Sequence, residues 1–186
     1  MRVLGVDPGT ATMGYGVVEG HGSRLRHIAH GVITTPATDH FAVRLKTLFD
    51  ASRSLVAEYA PDAIAIEKLF FSRNVTTGIS VAQARGAIAA AMAESGLPIG
   101  EFSPLEVKSA VVGYGKAGKQ QVQEMVKILL NLPDIPKPDD AADALALAIC
   151  QLHAGMFQRL SATKQQTSHP VKRVQTRKPV SGGAVD

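Results

Sequence analysis

The sequence predicts an α/β protein built on one mixed sheet, three antiparallel strands followed by parallel strands, with helices on its faces. Three features predict it. Val3-Leu4-Gly5-Val6 is apolar on both faces, the pattern of a strand covered by helices on each side. Two more strand-like segments follow after short links, as in an antiparallel meander. Strand and helix patterns then alternate between the punctuation marks Pro36, Pro61 and Gly96, and a strand–helix–strand passage brings the chain back parallel.

The first strand ends on Asp7, where Pro8-Gly9 forces a turn. Gly14 to Glu19 reads as the second strand and Leu25 to Thr34 as the third. A helix capped by Thr38 or Asp39 runs to about Tyr59, with Phe41, Leu45, Leu48, Phe49, Leu55, Val56 and Tyr59 at helical spacing. Asp62 to Glu67 is a fourth strand and, like the first, ends on a carboxylate. Phe70 to Asn74 links it to a helix from about Val75 to Ser95 that is rich in small residues. Leu97 to Phe102 is a fifth strand. Ser103 caps a short helix with Pro104 in its first turn, ending near Val112. A loop from Gly113 to Gly118, a helix from Gln120 to Leu130, and a connector stiffened by Pro133, Pro136 and Pro138 follow. Asp139 then caps a last helix to about His153. Periodicity fades beyond Phe157, so residues 1–157 are expected to form one domain and 158–186 a basic, disordered tail.

Composition bounds the function. The chain has 186 residues, 45% hydrophobic and 19% charged, enough for one domain with a core. It has no run of 18 apolar residues. No basic-plus-apolar leader opens it, so a cytoplasmic location is expected. The single Cys150, in an apolar helical pattern, excludes a disulfide framework. The pI of 9.3 suggests a polyanionic partner, but six of the 20 basic residues and one of the 16 acidic ones fall within 158–186. The body carries slightly more acid than base, so any case for nucleic acid rests on where its charges sit.

Four carboxylates are the candidates for chemistry. Asp7 and Glu67 end two strands expected to be adjacent and parallel, and that edge of an open α/β sheet is where ligands bind. Asp140 and Asp143 share a helix face, although Asp139 and Asp143, at i,i+4, fit as well. Each reads singly as a turn or helix-start residue. Gathered in one cleft, they would repel one another unless a cation compensates. Hard oxygen donors suit Mg²⁺ or Mn²⁺, and no His/Cys spacing suggests zinc. Gly113 to Lys119 matches G-x-x-x-x-G-K, but Gln120 replaces the Ser/Thr of an ATP-binding P-loop and no strand pattern precedes it. Lys108, Lys116 and Lys119 around that loop are candidates for phosphodiester contact. Phe70 and Arg73 are candidates for base stacking and phosphate contact.

Gly5-Val6-Asp7-Pro8-Gly9-Thr10 with Gly14-Tyr15-Gly16-Val17 resembles the opening of the RuvC family of Holliday-junction resolvases. Ile64-Ala65-Ile66-Glu67, Gln83-Ala84-Arg85-Gly86 and Asp140-Ala141-Ala142-Asp143-Ala144-Leu145 resemble it too, in the same order. The resemblance covers about residues 1–153. It implies an RNase H-like fold, a homodimer, and a site in which Asp7, Glu67, Asp140 and Asp143 hold two Mg²⁺ ions, with Mn²⁺ as the alternative metal. It implies symmetrical nicking of four-way DNA junctions with 5′-phosphate products, and partnership with the branch-migration proteins RuvA and RuvB. It favours Asp140 over Asp139, Phe70 as a stacking residue, Lys108 and Lys119 near the reacting phosphate, and the 75–95 helix as the dimer contact.

Three rivals are weighed. A sugar-kinase or actin-like ATPase needs two such domains, and one is expected here. An RNA-processing nuclease of the YqgF type shares the first-strand aspartate. A non-catalytic junction binder would gain nothing from four acids at a phosphate site.

Overall fold

The computed structural model describes residues 1–69 and 75–167, with side chains placed for 1–69 and 78–155. Its elements in chain order are β1 (Arg2–Asp7), β2 (Thr12–His21), β3 (Arg24–Thr34), α1 (Phe41–Tyr59), β4 (Ala63–Glu67), α2 (Val75–Ala93), β5 (Ile99–Phe102), α3 (Pro104–Val112), α4 (Lys119–Leu129) and α5 (Asp139–Thr167). The sheet order is β3-β2-β1-β4-β5. β1–β2 and β2–β3 pair antiparallel, and β1–β4 and β4–β5 pair parallel, as expected. Among the described residues no helix is long and apolar enough to cross a membrane.

The two faces of the sheet bury different side chains. Leu4, Val6, Met13, Val17, Ile64 and Ile66 pack against Leu48 and Leu55 of α1 and Ile88 and Met92 of α2. On the other face Val3, Val18, Ala63 and Ala65 meet α3, α4 and α5. Strand alternation produces the split, because neighbouring residues point to opposite sides. Cys150 is buried in the second layer, where burial pushes its thiol up to about 12 and leaves no reactive thiolate.

Local signals failed at three helix ends. His40, not Thr38 or Asp39, caps α1; its ring Nδ1 accepts from the Ala42 N–H. Asp139 does not cap α5 but begins it, and Pro138 supplies the carbonyl that accepts from the Ala141 N–H. The backbone of α5 continues to Thr167, past the expected end near His153. Residues 156–167 contain good helix formers and no proline, so nothing local stops it even where the apolar period is lost. The α3 start is as expected: Ser103 and Glu106 form a reciprocal capping box with Pro104 in the first turn.

Candidate active site

β1 and β4 run in register from Val3–Ala63 to Val6–Ile66, so Asp7 and Glu67 arrive together at one edge of the sheet. Alternation puts both on the face of Gly5, Ala63 and Ala65, where the residues are small. α5 uses that space. A Cβ on Gly14 would stand 2.0 Å from the Asp140 carbonyl oxygen, and one on Gly5 would stand 2.0 Å from that of Ala144. The main chain of α5 thus rests on the main chain of β1 and β2. This contact carries the first turn of α5, with its aspartates, to the strand ends.

Asp7, Glu67 and Asp143 line one cleft of about 220 Å³ together with Lys108 and Lys119, over a floor that includes Ala146 and Leu147. Burial first, and then the charges of Glu67, Asp143 and Asp140, push the Asp7 carboxyl up to about 7 against the weaker opposing pull of Lys119. Glu67 is raised by burial and by Asp143, and Asp143 is raised chiefly by burial. Asp140 adds to the field at Asp7, but it lines a neighbouring cavity beside Arg44. Asp139 is paired instead: Lys137 Nζ lies 3.0 Å and Lys119 Nζ 3.4 Å from its carboxylate, and Lys137 foremost, then Gln123 and Lys119, keep its acidity high.

Of the two lysines in the cleft, Lys119 is the one paired with its acids. Its Nζ is 3.1 Å from Asp143 Oδ2. Burial alone would lower its pKa, but the hydrogen bonds and charges of Asp143 and Asp139 raise it. The P-loop is excluded as expected, since α3 rather than a strand leads into Gly113. Lys108 reaches the cleft wall, whereas Lys116 is exposed in the turn outside it. Phe70 and Arg73 lie outside the described residues.

Two residues near the site escaped the sequence reading of chemistry. Arg85 on α2 donates from Nε to the Glu67 carbonyl oxygen at 2.8 Å, and its Nη2 pairs with Glu101 Oε2 on β5 at 2.8 Å. It pins the end of β4 from the opposite layer. Its only earlier signal was its place in the Gln83-Ala84-Arg85-Gly86 motif. Arg44 carried no signal at all.

A mixed five-stranded sheet of this order, with acids on two adjacent parallel strands and more on a helix laid across them, is the architecture of RNase H-like nucleases. The family model for crossover junction endodeoxyribonuclease RuvC matches residues 3–151. The RuvC of Heliobacterium modesticaldum is 54% identical over 154 residues, spanning 83% of this chain and 95% of that protein. The T. thermophilus RuvC solved in complex with Holliday junction substrate is 31% identical, with a TM-score of 0.81, covering 85% of this chain and 96% of that one. The yeast mitochondrial Holliday junction resolvase Ydc2 shares the fold at a TM-score of 0.61 and 16% identity, covering 88% of this chain and 85% of that one. The chain belongs to the RuvC family.

Proposed function

We propose that the chain is a structure-selective endonuclease that resolves four-way DNA junctions by metal-dependent hydrolysis, in recombination and repair. One observation carries the chemical reading. Three acids share a cleft with two lysines at the strand ends, and one acid is raised to about 7, first by burial and then by the neighbouring acids. Such a cluster repels a phosphodiester unless cations stand between them.

The donor set fits a hard divalent ion in kind, because it is all carboxylate oxygen. Among the described residues no three His, Cys, Asp or Glu side chains converge closely enough to hold an ion. Closing the site around Mg²⁺ or Mn²⁺ requires Asp143 to exchange the Lys119 ammonium for the metal. Asp7, Glu67, Asp140 and Asp143 are the residues that would hold two ions; such ions activate water and stabilise a leaving oxygen.

The protein's own part is positional. β1 and β4 fix Asp7 and Glu67, and the close seating of α5 fixes Asp143. Lys108 and Lys119 place positive charge at the mouth, where a phosphate approaches, and Lys119 released from Asp143 is free to meet it. Lys116, Phe70 and Arg73 are proposed to contact DNA farther out. Symmetrical nicks on two strands need two sites about a two-fold axis, so the proposal includes a homodimer through α2. Partnership with RuvA and RuvB rests on family membership.

The deciding experiment offers the protein a synthetic four-way junction, a linear duplex and an RNA hybrid, each with Mg²⁺, Mn²⁺ or EDTA. Paired nicks on the junction alone, abolished by EDTA, are expected. Preference for the RNA hybrid would replace this reading with the YqgF-type one. Junction binding with no cleavage under any metal would leave a binding protein.

A further inference from the structure

Beside the Asp7–Gly9 turn, adjoining the acid cleft, lies a second cavity of about 530 Å³ walled by Thr10, Phe41, Arg44, Val81 and Asp140, among others. Arg44 projects into it from α1. Its Nε donates to Thr35 Oγ1 at 2.9 Å, and Thr35 Oγ1 donates to the Thr10 carbonyl oxygen at 2.6 Å. That chain of bonds sets the guanidinium against the turn. Among the described residues no carboxylate lies within ion-pair distance of Arg44, so its terminal Nη groups are uncommitted. Thr10, only 9% exposed, carries a hydroxyl that no group pairs among the described residues. A half-buried guanidinium without a counter-ion is costly as it stands, and an anion in the cavity satisfies it.

We propose that this cavity is a phosphate subsite that grips a backbone phosphodiester of the DNA strand, next to the one being cut. The inference rests on the nuclease reading of the adjoining cleft. Phosphate is the matching ligand because two Nη donors in a planar fork meet two of its oxygens, while Phe41 and Val81 offer apolar wall to a sugar. Asp140 ties the subsite to the reaction centre, since it lines this cavity and also acts on Asp7. Its charge repels phosphate from its own end, and so holds the ligand at the Arg44 end. Thr35 fixes the direction of the guanidinium, but the charge comes from Arg44 alone.

The test is junction binding in EDTA, titrated across salt concentrations, for wild type, Arg44→Gln, Arg44→Lys and Thr35→Val. Arg44→Gln is expected to weaken binding about tenfold and to reduce the slope of log K against log salt by about one. Arg44→Lys and Thr35→Val, which keep the charge, should retain the slope. A scan of junctions carrying one neutral methylphosphonate at a time should find a single position near the cut that weakens wild type but not Arg44→Gln. An unchanged slope in Arg44→Gln, an equal loss in Thr35→Val, or no such position would each overturn the subsite. If Arg44→Gln fails to fold, Arg44→Met, which keeps the aliphatic stem and removes the charge, takes its place in both measurements with the same expected and overturning results. A wild type that binds the junction no better than duplex defeats the nuclease reading instead, and is distinct from all of these outcomes.

Discussion

The two faces of the sheet solve different problems with the same strands. On the α1/α2 face, Leu4, Val6, Ile64 and Ile66 point out at alternate positions and interlock with Leu48, Ile88 and Met92. On the α5 face the alternate positions of the same strands are Val3, Gly5, Asp7 and Ala63, Ala65, Glu67. One face has bulk, which stabilises; the other lacks bulk, which lets a helix backbone come down onto the strands and deliver its acids. Both strand-end carboxylates stand on the side with least bulk.

This contrast breaks most sharply at Asp7. Asp7→Asn keeps the shape and removes the charge, so junction cleavage should fall by about a thousandfold or more while junction binding in EDTA persists; retained cleavage would sink the proposed site. On the bulky face, Leu48→Ala should cost about 2–5 kcal/mol of stability, read by chemical denaturation, with specific activity kept by the folded fraction. On the other face a single added methyl is the damage. Gly14→Ala sets a Cβ against the Asp140 carbonyl and should cost about 1–3 kcal/mol, with cleavage lost out of proportion to stability. Equal losses in both variants would erase the distinction between the faces.

A smaller effect follows from linkage. The Asp7 carboxyl, raised to about 7 in the fold against 3.8 ordinarily, holds its proton more tightly folded than unfolded. The contribution of Asp7 to the stability of the metal-free protein therefore falls as pH rises from about 4 to about 7. Asp7→Asn should melt higher than wild type at pH 8 in EDTA, and the gain should vanish near pH 4. Added Mg²⁺ should narrow it, because only wild type retains the full ligand set. The smallest effect is expected at Arg85. Arg85→Gln removes the tie to the Glu67 carbonyl, so the Mn²⁺ concentration needed for half-maximal cleavage should rise several-fold with junction affinity unchanged. Unchanged metal dependence would assign Arg85 a packing role alone.

Much of this was readable in the chain. The strand order follows from three short-linked strands and then crossovers bounded by proline and glycine, and the meeting of Asp7 with Glu67 follows from that order. What was missed depends on partners distant in sequence. The glycines at 14 and 16 read as strand residues within a family motif, and what they make room for shows only with α5, more than a hundred positions later, laid against them. His40 took the α1 cap from two better formers by the course of the turn before it. Arg85 and Arg44 each act across layers, and local periodicity says nothing about what lies opposite.

The seating of α5 has a consequence for heating. A contact between side chains loosens by degrees, as each samples more rotamers. Main chain resting on main chain has no rotamers to sample, so the first turn of α5 is either docked or detached. Thermal inactivation and the loss of amide protection at Asp143 to Leu147 should then arrive in one step.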